Sequence, residues 1–332
     1  MADHQSSPSG EDSLIARYFK RIATDPGAFN LDDDAAALKA LGDDIVVTTD
    51  AIVEGVHYLP NDPPDTVARK ALRVNLSDLA AKGAAPAGFV LTLALRTVDD
   101  SWLKPFAQAL GEEAVLFNCP LLGGDTVSTP GPLMISITAF GRVSTGKMVH
   151  RSGAKPGDRV VVTGTIGDAA LGLDILKGGA AVAALAGDAA REMLIGRYRL
   201  PQPRTALADA VRGHAHAAMD VSDGLAGDLA KLCAASGVSA AIDAASIPLS
   251  PAVAELVARG TVGLATLLSA GDDYEILCAV PEDRFEAFAQ AARQANVAVT
   301  SIGTVIAGTA IPSFLDLQGR DLALTRRSFS HF

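Results

Sequence analysis

Aspartates recur in this chain where a carboxylate could do chemistry. Asp50 closes the run Ile45-Val46-Val47-Thr48-Thr49, Asp125 follows Leu121-Leu122-Gly123-Gly124, and Asp220 and Asp223 flank Val221-Ser222 ahead of Gly224. Ligands of open α/β sheets gather outside the carboxyl ends of the strands, so these groups could share one crevice. Singly, each is explained as well by a turn or a helix cap. Together, Asp34, Asp50, Asp78, Asp125, Asp220 and Asp223 resist that explanation, because most end strands and Asp78 lies inside a helical pattern. Carboxylates crowded into a partly buried cleft repel one another unless hard cations lie between them. Magnesium suits that role. It takes one or two carboxylates, keeps several waters and bridges to substrate phosphates, the arrangement used in phosphoryl transfer.

Other motifs carry less. Gly141-Arg142-Val143-Ser144-Thr145-Gly146-Lys147-Met148 approaches the phosphate-binding pattern GxxxxGK[ST], but Met148 has no hydroxyl for a metal and the residues after it do not open a helix. The segment reads as a strand end and turn. Gly164-Thr165-Ile166-Gly167-Asp168 lies between a strand and a helix, where backbone NH groups could meet an anion, yet it lacks GxGxxG. His214 and His216 would point to different sides of a helix and read as surface residues. His57, in Glu54-Gly55-Val56-His57, follows the Asp50 strand and could be held over the same crevice or be an ordinary loop histidine.

Apolar periodicity gives the elements that must position these groups. Leu14, Ile15, Tyr18, Phe19 and Ile22 share one face of a helix that Asp12 or Ser13 can cap. Pro63-Pro64-Asp65-Thr66 opens a helix through Leu79, and Gly83 ends it; a buried strand over 88–95, a helix over about 101–117 and strands near 120–122 and 133–140 follow. Turn formers at 151–158 set a domain boundary, giving one domain of residues 1–150 and a second of 151–332. Beyond it, strands at 159–163, 217–221, 238–242, 274–280 and 297–305 alternate with helices at 168–177, 182–196, 205–212, 225–235, 251–258 and 282–295. The fold class is α/β in two domains, each able to bury its own core.

Composition narrows the partners. With a formal net charge of -10, the chain would repel a phosphodiester backbone, so nucleic acid is not an expected partner. A polyphosphate is still accessible through divalent cations. Cys119, Cys233 and Cys278 are scattered, with no CxxC pair, and read as buried thiols in a reducing compartment. The first residues carry no basic stretch followed by an apolar core, and no apolar run is long enough to span a bilayer, so the expected location is cytoplasmic with no membrane partner.

The motifs, taken in order, resemble the thiamine-monophosphate kinases, a family within the superfamily of aminoimidazole ribotide synthetase and selenophosphate synthetase. The carriers are Asp33-Asp34-Ala35-Ala36, Thr48-Thr49-Asp50 with Glu54-Gly55-Val56-His57, Val74-Asn75-Leu76-Ser77-Asp78-Leu79-Ala80-Ala81, Gly123-Gly124-Asp125-Thr126, Arg151-Ser152-Gly153-Ala154-Lys155-Pro156-Gly157-Asp158, Asp220-Val221-Ser222-Asp223-Gly224 and Gly271-Asp272-Asp273-Tyr274-Glu275. The resemblance implies that Asp34, Thr48, Thr49, Asp50, Asp78, Asp125, Asp220 and Asp223 hold several magnesium ions around the phosphates of ATP. It implies that Arg151, Ser222 and Gly124-Asp125 contact the nucleotide, while His57 and Asp272 face thiamine monophosphate. It further implies a homodimer in which the N-terminal mixed sheets of two subunits pair into a barrel. Asp32 stands where the family usually has Gly, Asp272 where it often has Glu, and Arg326 where an aromatic substrate contact is expected; Phe329 could supply that aromatic face instead.

The implied activity is transfer of the γ-phosphoryl group of ATP to thiamine monophosphate, with no catalytic base on the protein. The alternatives are another ATP-using member of the superfamily, acting on a ribotide or on selenide, or a silent nucleotide-binding regulator. A selenide-using enzyme would carry Cys or selenocysteine near its N-terminus, whereas the first cysteine here is Cys119. Lys147 is expected to be dispensable, because Met148 cannot complete a phosphate loop. Lys147→Ala should keep most of the activity in a steady-state assay; a loss of about a thousandfold, the scale of a lost phosphoryl clamp, would restore the phosphate-loop reading.

Overall fold

The computed structural model describes residues 14–26, 28, 42–179, 185, 187–324 and 328. The chain forms two compact units, one from Met1–Asn75 with Pro86–Arg142 and the other from Leu76–Ala85 with Val143–Phe332. The turn-rich segment at 151–158 lies inside the second.

In the first unit, β1 (Asp44–Val53), β2 (Ala85–Leu95), β3 (Leu121–Ser128) and β4 (Met134–Val143) form a four-stranded sheet in the order β1-β4-β2-β3, with β2 and β3 parallel. Along β4, Ile135, Ile137 and Ala139 are buried and alternate with half-buried residues, the pattern of a strand with one face on the core. Helices α1 (Pro64–Ala81) and α2 (Asp100–Leu116) bury Ala68, Leu72, Leu103, Phe106 and Leu110. The Asp99 carboxylate accepts a hydrogen bond from the Ser101 NH and caps the start of α2. The two helices are riveted by Glu113, which is fully buried: Arg73 reaches both of its carboxylate oxygens, at 2.6 and 2.9 Å, and Arg69 reaches one at 2.6 Å. Leu14, Tyr18 and Phe19 are buried as the sequence pattern suggests, but the backbone winds as a π-helical turn over Ile15–Phe19 and a 3-10 turn over Lys20–Ile22. The capping candidates Asp12 and Ser13 lie outside the described residues.

Two strands run further than their apolar cores suggest. β1 continues through Asp50 to Val53, with Val46 and Ile52 buried on one face, and β3 pairs with β2 in register from Gly123 to Ser128. Asp50 and Asp125 therefore sit within strands. Hydrogen bonding to the neighbouring strand, which a single-segment apolar pattern does not report, keeps the backbone extended past the polar residue.

In the second unit, β5 (Arg159–Thr163), β6 (Ala217–Asp220), β7 (Ser239–Asp243), β8 (Ile276–Val280), β9 (Val299–Ile306) and β10 (Ser313–Leu315) form a six-stranded sheet in the order β10-β7-β9-β5-β8-β6. The sheet is mixed: β10 runs parallel to β7, and the pairs of β5 with β8 and β9, β6 with β8 and β7 with β9 are antiparallel. Its helices are α3 (Asp168–Leu176), α4 (Asp188–Arg199), α5 (Ala208–His214), α6 (Leu225–Ser236), α7 (Pro251–Ala258), α8 (Leu264–Leu268) and α9 (Phe285–Gln294). Both faces of the sheet are buried, which explains why β5, β6 and β8 read as unbroken apolar runs. Val160, Val162, Leu277 and Met219 pack with Leu225 and Leu229 of α6 on one face; Val161, Ala218, Ile276 and Cys278 pack with Val211 of α5 and Phe288 of α9 on the other. The short elements α8 and β10 escaped the sequence reading because neither completes enough of a period to register.

Phe288 is fully buried in that second cluster. Phe288→Ala should lower unfolding free energy by about 3–5 kcal/mol, measured by chemical denaturation. A change below about 1 kcal/mol would mean that the α9 face packs loosely.

Candidate active site

In the first unit, alternation along β1 sorts the expected ligands. Thr48 and Asp50 share a face with the buried Val46 and Ile52, whereas Thr49 points the other way. The Thr49 hydroxyl donates to Ile137 O on β4 at 3.2 Å and accepts from the Thr138 hydroxyl at 3.0 Å, so it fixes β1 to β4. The Asp50 NH donates to Asn75 Oδ1 at 3.1 Å, and Asn75 Nδ2 donates to Ala71 O within α1, tying this strand to that helix. Asp125 is exposed and lies opposite Thr92 of β2. Next to it, a Cβ on Gly124 would fall 1.9 Å from Leu91 O, so close pairing of β2 and β3 admits only glycine there.

His57 is gripped by its own loop. Its Nδ1 accepts from the Val53 NH at 3.0 Å and its carbonyl accepts from Lys70 Nζ at 2.9 Å. With Nδ1 accepting, the neutral ring carries its proton on Nε2. The loop is anchored further by Glu54, whose carboxylate takes a forked pair from Arg96 and the Leu133 NH. The Arg96 bonds hold the Glu54 carboxyl below the usual carboxylate range.

In the second unit, Asp220 ends β6 and is buried, and Asp78 lies half-buried in α1. Lys82, one residue past the end of α1, was not anticipated. Its ammonium donates to Ala218 O at 2.7 Å; burial pulls its pKa down, against the upward pull of Asp78 and Asp220. A lysine four residues beyond Asp78, at a helix C-terminus, is the signal that could have flagged it. Arg151 is exposed, and the following turn is pinned by Ser236, whose hydroxyl accepts from the Gly153 and Ala154 NH groups.

Asp223 meets a cation of the protein's own. Lys231 donates to Asp223 at 2.7 Å and to the buried Asp228 at 2.9 Å, so Asp223 also serves the start of α6. Ser222 and Asp272 lie on adjacent strands of backbone, the Asp272 NH donating to Ser222 O at 2.9 Å. Asp34 and Phe329 lie outside the described residues.

The other motifs resolve locally. The Lys147 NH closes a turn onto Ser144 O, and no helix follows. Three NH groups of the 164–168 loop are taken by the protein: Gly164 gives its NH to Ala298 O, Ile166 to Pro248 O and Gly167 to the Asp273 carboxylate. His216 departs from the surface reading, since its Nδ1 lies 3.0 Å from the buried Asp158 carboxylate; the helix ends at His214, leaving His216 beside β6.

Among the described residues, no three His, Cys, Asp or Glu side chains converge into a chelating cluster. The donors present are carboxylate and hydroxyl oxygens, the chemistry that suits magnesium, which needs few protein ligands and completes its shell with water and phosphate.

The residues matched by known families follow the same two-part layout. Residues 32–143 match the AIR synthase related protein, N-terminal domain, and residues 155–314 match the AIR synthase related protein, C-terminal domain. This defines the class. The chain is 44% identical to a thiamine-monophosphate kinase of Caulobacter vibrioides, over 98% of this chain and 92% of that one. A crystal structure of thiamine-monophosphate kinase from Stenotrophomonas maltophilia K279a is 38% identical, with a TM-score of 0.78 over 90% of this chain and 93% of that one. A further structure, AaThiL complexed with AMPPCP and TMP, is 28% identical with a TM-score of 0.76, over 90% of this chain and 91% of that one. The chain belongs to the thiamine-monophosphate kinase family.

Gly124 and Gly123 provide an internal contrast. Gly124→Ala should cost about 2 kcal/mol or more, because its Cβ would meet backbone that cannot rotate away. Gly123→Ala, with nothing within 4 Å of its Cβ, should stay within about 0.5 kcal/mol of the parent. Paired thermal melts check this, and equal shifts would contradict the steric assignment.

Proposed function

We infer that this chain transfers the γ-phosphoryl group of ATP to thiamine monophosphate, yielding thiamine diphosphate and ADP. One observation carries the reading. The oxygen donors Thr48, Asp50, Asp78, Asp125 and Asp220 stand on a chain that matches thiamine-monophosphate kinases over nearly its whole length. Those donors, with Asp34 and Asp223, would hold magnesium near the nucleotide phosphates, and Thr49, which fixes β1 to β4, would support them. Magnesium bound there would neutralise charge on the phosphoryl oxygens.

Arg151, Ser222 and the Gly124-Asp125 segment contact the nucleotide, while His57, Asp272 and Phe329 face the acceptor. His57 orients the acceptor and acts as neither acid nor base. The acceptor is a phosphate monoester with a second pKa of about 6, so at neutral pH its attacking oxygen has no proton to lose. What the residues must overcome is repulsion between two anions, by positioning and by charge.

The working form is a homodimer with sheets paired into a barrel. Ile45 and Val47 on β1 and Val127 on β3, the two edges of the four-stranded sheet, are exposed apolar side chains that such pairing would cover. A cytoplasmic location belongs to the same reading; among the described residues no helix is long and apolar enough to cross a membrane.

Purified protein with ATP, magnesium and thiamine monophosphate should form thiamine diphosphate and ADP in equal amounts. ADP without thiamine diphosphate would overturn the assignment. Asp50→Asn, Asp78→Asn and Asp125→Asn should each raise the magnesium requirement and slow turnover by about a hundredfold or more, with folding retained. Wild-type rates at low magnesium in these variants would dismiss the metal role.

A further inference from the structure

Three acidic residues, Asp272, Asp273 and Glu275, follow Gly271 within four positions, interrupted only by Tyr274, and the inner two are not used by the reaction scheme above. Both inner acids, Asp273 and Glu275, are buried. Glu275 is fully inaccessible and takes hydrogen bonds from the Thr163 hydroxyl at 2.6 Å, from Arg197 Nη2 at 2.7 Å and from Arg204 Nε and Nη2 at 2.6 and 2.5 Å. Thr163 in turn accepts from the Ile276 NH, so the hub is locked to the strand that follows it. Asp273 accepts from the Gly167 NH with both oxygens at 3.0 Å. Gly164 borders the hub, and a Cβ there would fall 2.1 Å from Glu275 Oε1.

The backbone of this segment is clasped to the loop after β6. The Val221 NH donates to Glu275 O at 2.8 Å, the Tyr274 NH to Val221 O at 2.8 Å and the Asp272 NH to Ser222 O at 2.9 Å. Asp273 is the residue left over in this pairing, an irregularity of the kind that re-aims neighbouring side chains. Asp272 and Tyr274 both adopt positive φ, +73° and +50°, a conformation that persists only where the surroundings over-determine it. Gly271 and Gly224 make the close approach possible, since a Cβ on either would run into opposing backbone at 2.3 and 2.8 Å. The outer, half-buried Asp272 is thus presented immediately ahead of two buried anchors, Asp273 and Glu275.

We propose that Glu275, held by Arg197 and Arg204, is a positioning residue that sets Asp272 for the acceptor phosphate ester, so that the strength of this buried fork governs acceptor recognition. The proposal rests on the assignment of the reaction above. Arg204 acts through its fork: its two nitrogens span both Glu275 oxygens, a geometry that lysine cannot reproduce.

The test measures Michaelis constants for both substrates in Glu275→Gln and Arg204→Lys, which keep, respectively, the shape and the charge of the hub. A displaced Asp272 should raise KM for thiamine monophosphate by about ten- to a hundredfold in both variants, while KM for ATP stays within about twofold. Loss of kcat in proportion to a loss of folded protein, with both KM values unchanged, would overturn the proposal and leave the hub a purely structural element. Equal rises in both KM values would overturn it as well. Should Glu275→Gln fail to fold, Arg204→Lys alone decides between these outcomes. A wild-type protein that makes no thiamine diphosphate would remove the reaction assignment itself, and this inference with it; normal wild-type turnover without the KM split removes only this inference.

Discussion

An ionised carboxylate can leave water only if positive charge and hydrogen bonds replace its hydration, and Glu275 is where this chain meets that demand most completely. Two guanidinium groups and a hydroxyl saturate it at zero exposure. Removing one partner would strand a buried charge, so the surrounding loops have little freedom to rearrange. From this hub the chain radiates to β5 through Thr163, to β8 through Ile276, to α4 through Arg197 and to the loop that carries Asp220, Ser222 and Asp223 through Val221. The first unit has its own version: Glu113, equally buried, is held by Arg69 and Arg73 and fixes α1 to α2. Asp273 reaches burial by another route. Both its oxygens take the Gly167 NH, and burial pushes its carboxyl well above the usual carboxylate range.

The same rule applies to another buried carboxylate of the second unit. Asp228 is buried with Lys231 as its partner, and Lys231 is a cation held in place: burial pulls its pKa down, but the bonds to Asp223 and Asp228 outweigh that and keep it raised. Asp125, by contrast, stands exposed on a strand whose neighbouring glycine permits close backbone approach. An exposed carboxylate beside a glycine-only backbone suits a polyanion and its counterions better than it suits packing.

Much of the second unit was legible because its sheet is covered on both faces. Arg159–Thr163 and Ile276–Val280 are short unbroken apolar runs between turn formers, and each is a strand at nearly the expected limits. The first unit was read less well at its strand ends, since pairing with β4 and β2 carries β1 and β3 past Asp50 and Asp125. Residue order disclosed which side chains could bind oxygen-rich ligands but not which were already engaged: Thr49 faces Ile137 and Asp223 faces Lys231. The buried hubs were invisible for the same reason. Arg197 and Arg204 lie 78 and 71 residues before Glu275, and nothing in the local pattern around either arginine distinguishes it from a solvated one. Lys82 shows the intermediate case, a residue whose spacing from Asp78 hinted at a contact that the approach of β6 completes.

If the protein's part is to position two anions and offset their charge, the phosphoryl group should pass directly from nucleotide to acceptor, with no stop on a side chain. A rapid-quench experiment with γ-labelled ATP tests this most directly. Without acceptor, the denatured protein should carry no label; with thiamine monophosphate, label should appear in thiamine diphosphate as fast as it leaves ATP. Label held covalently on the protein and then chased into thiamine diphosphate would contradict direct transfer.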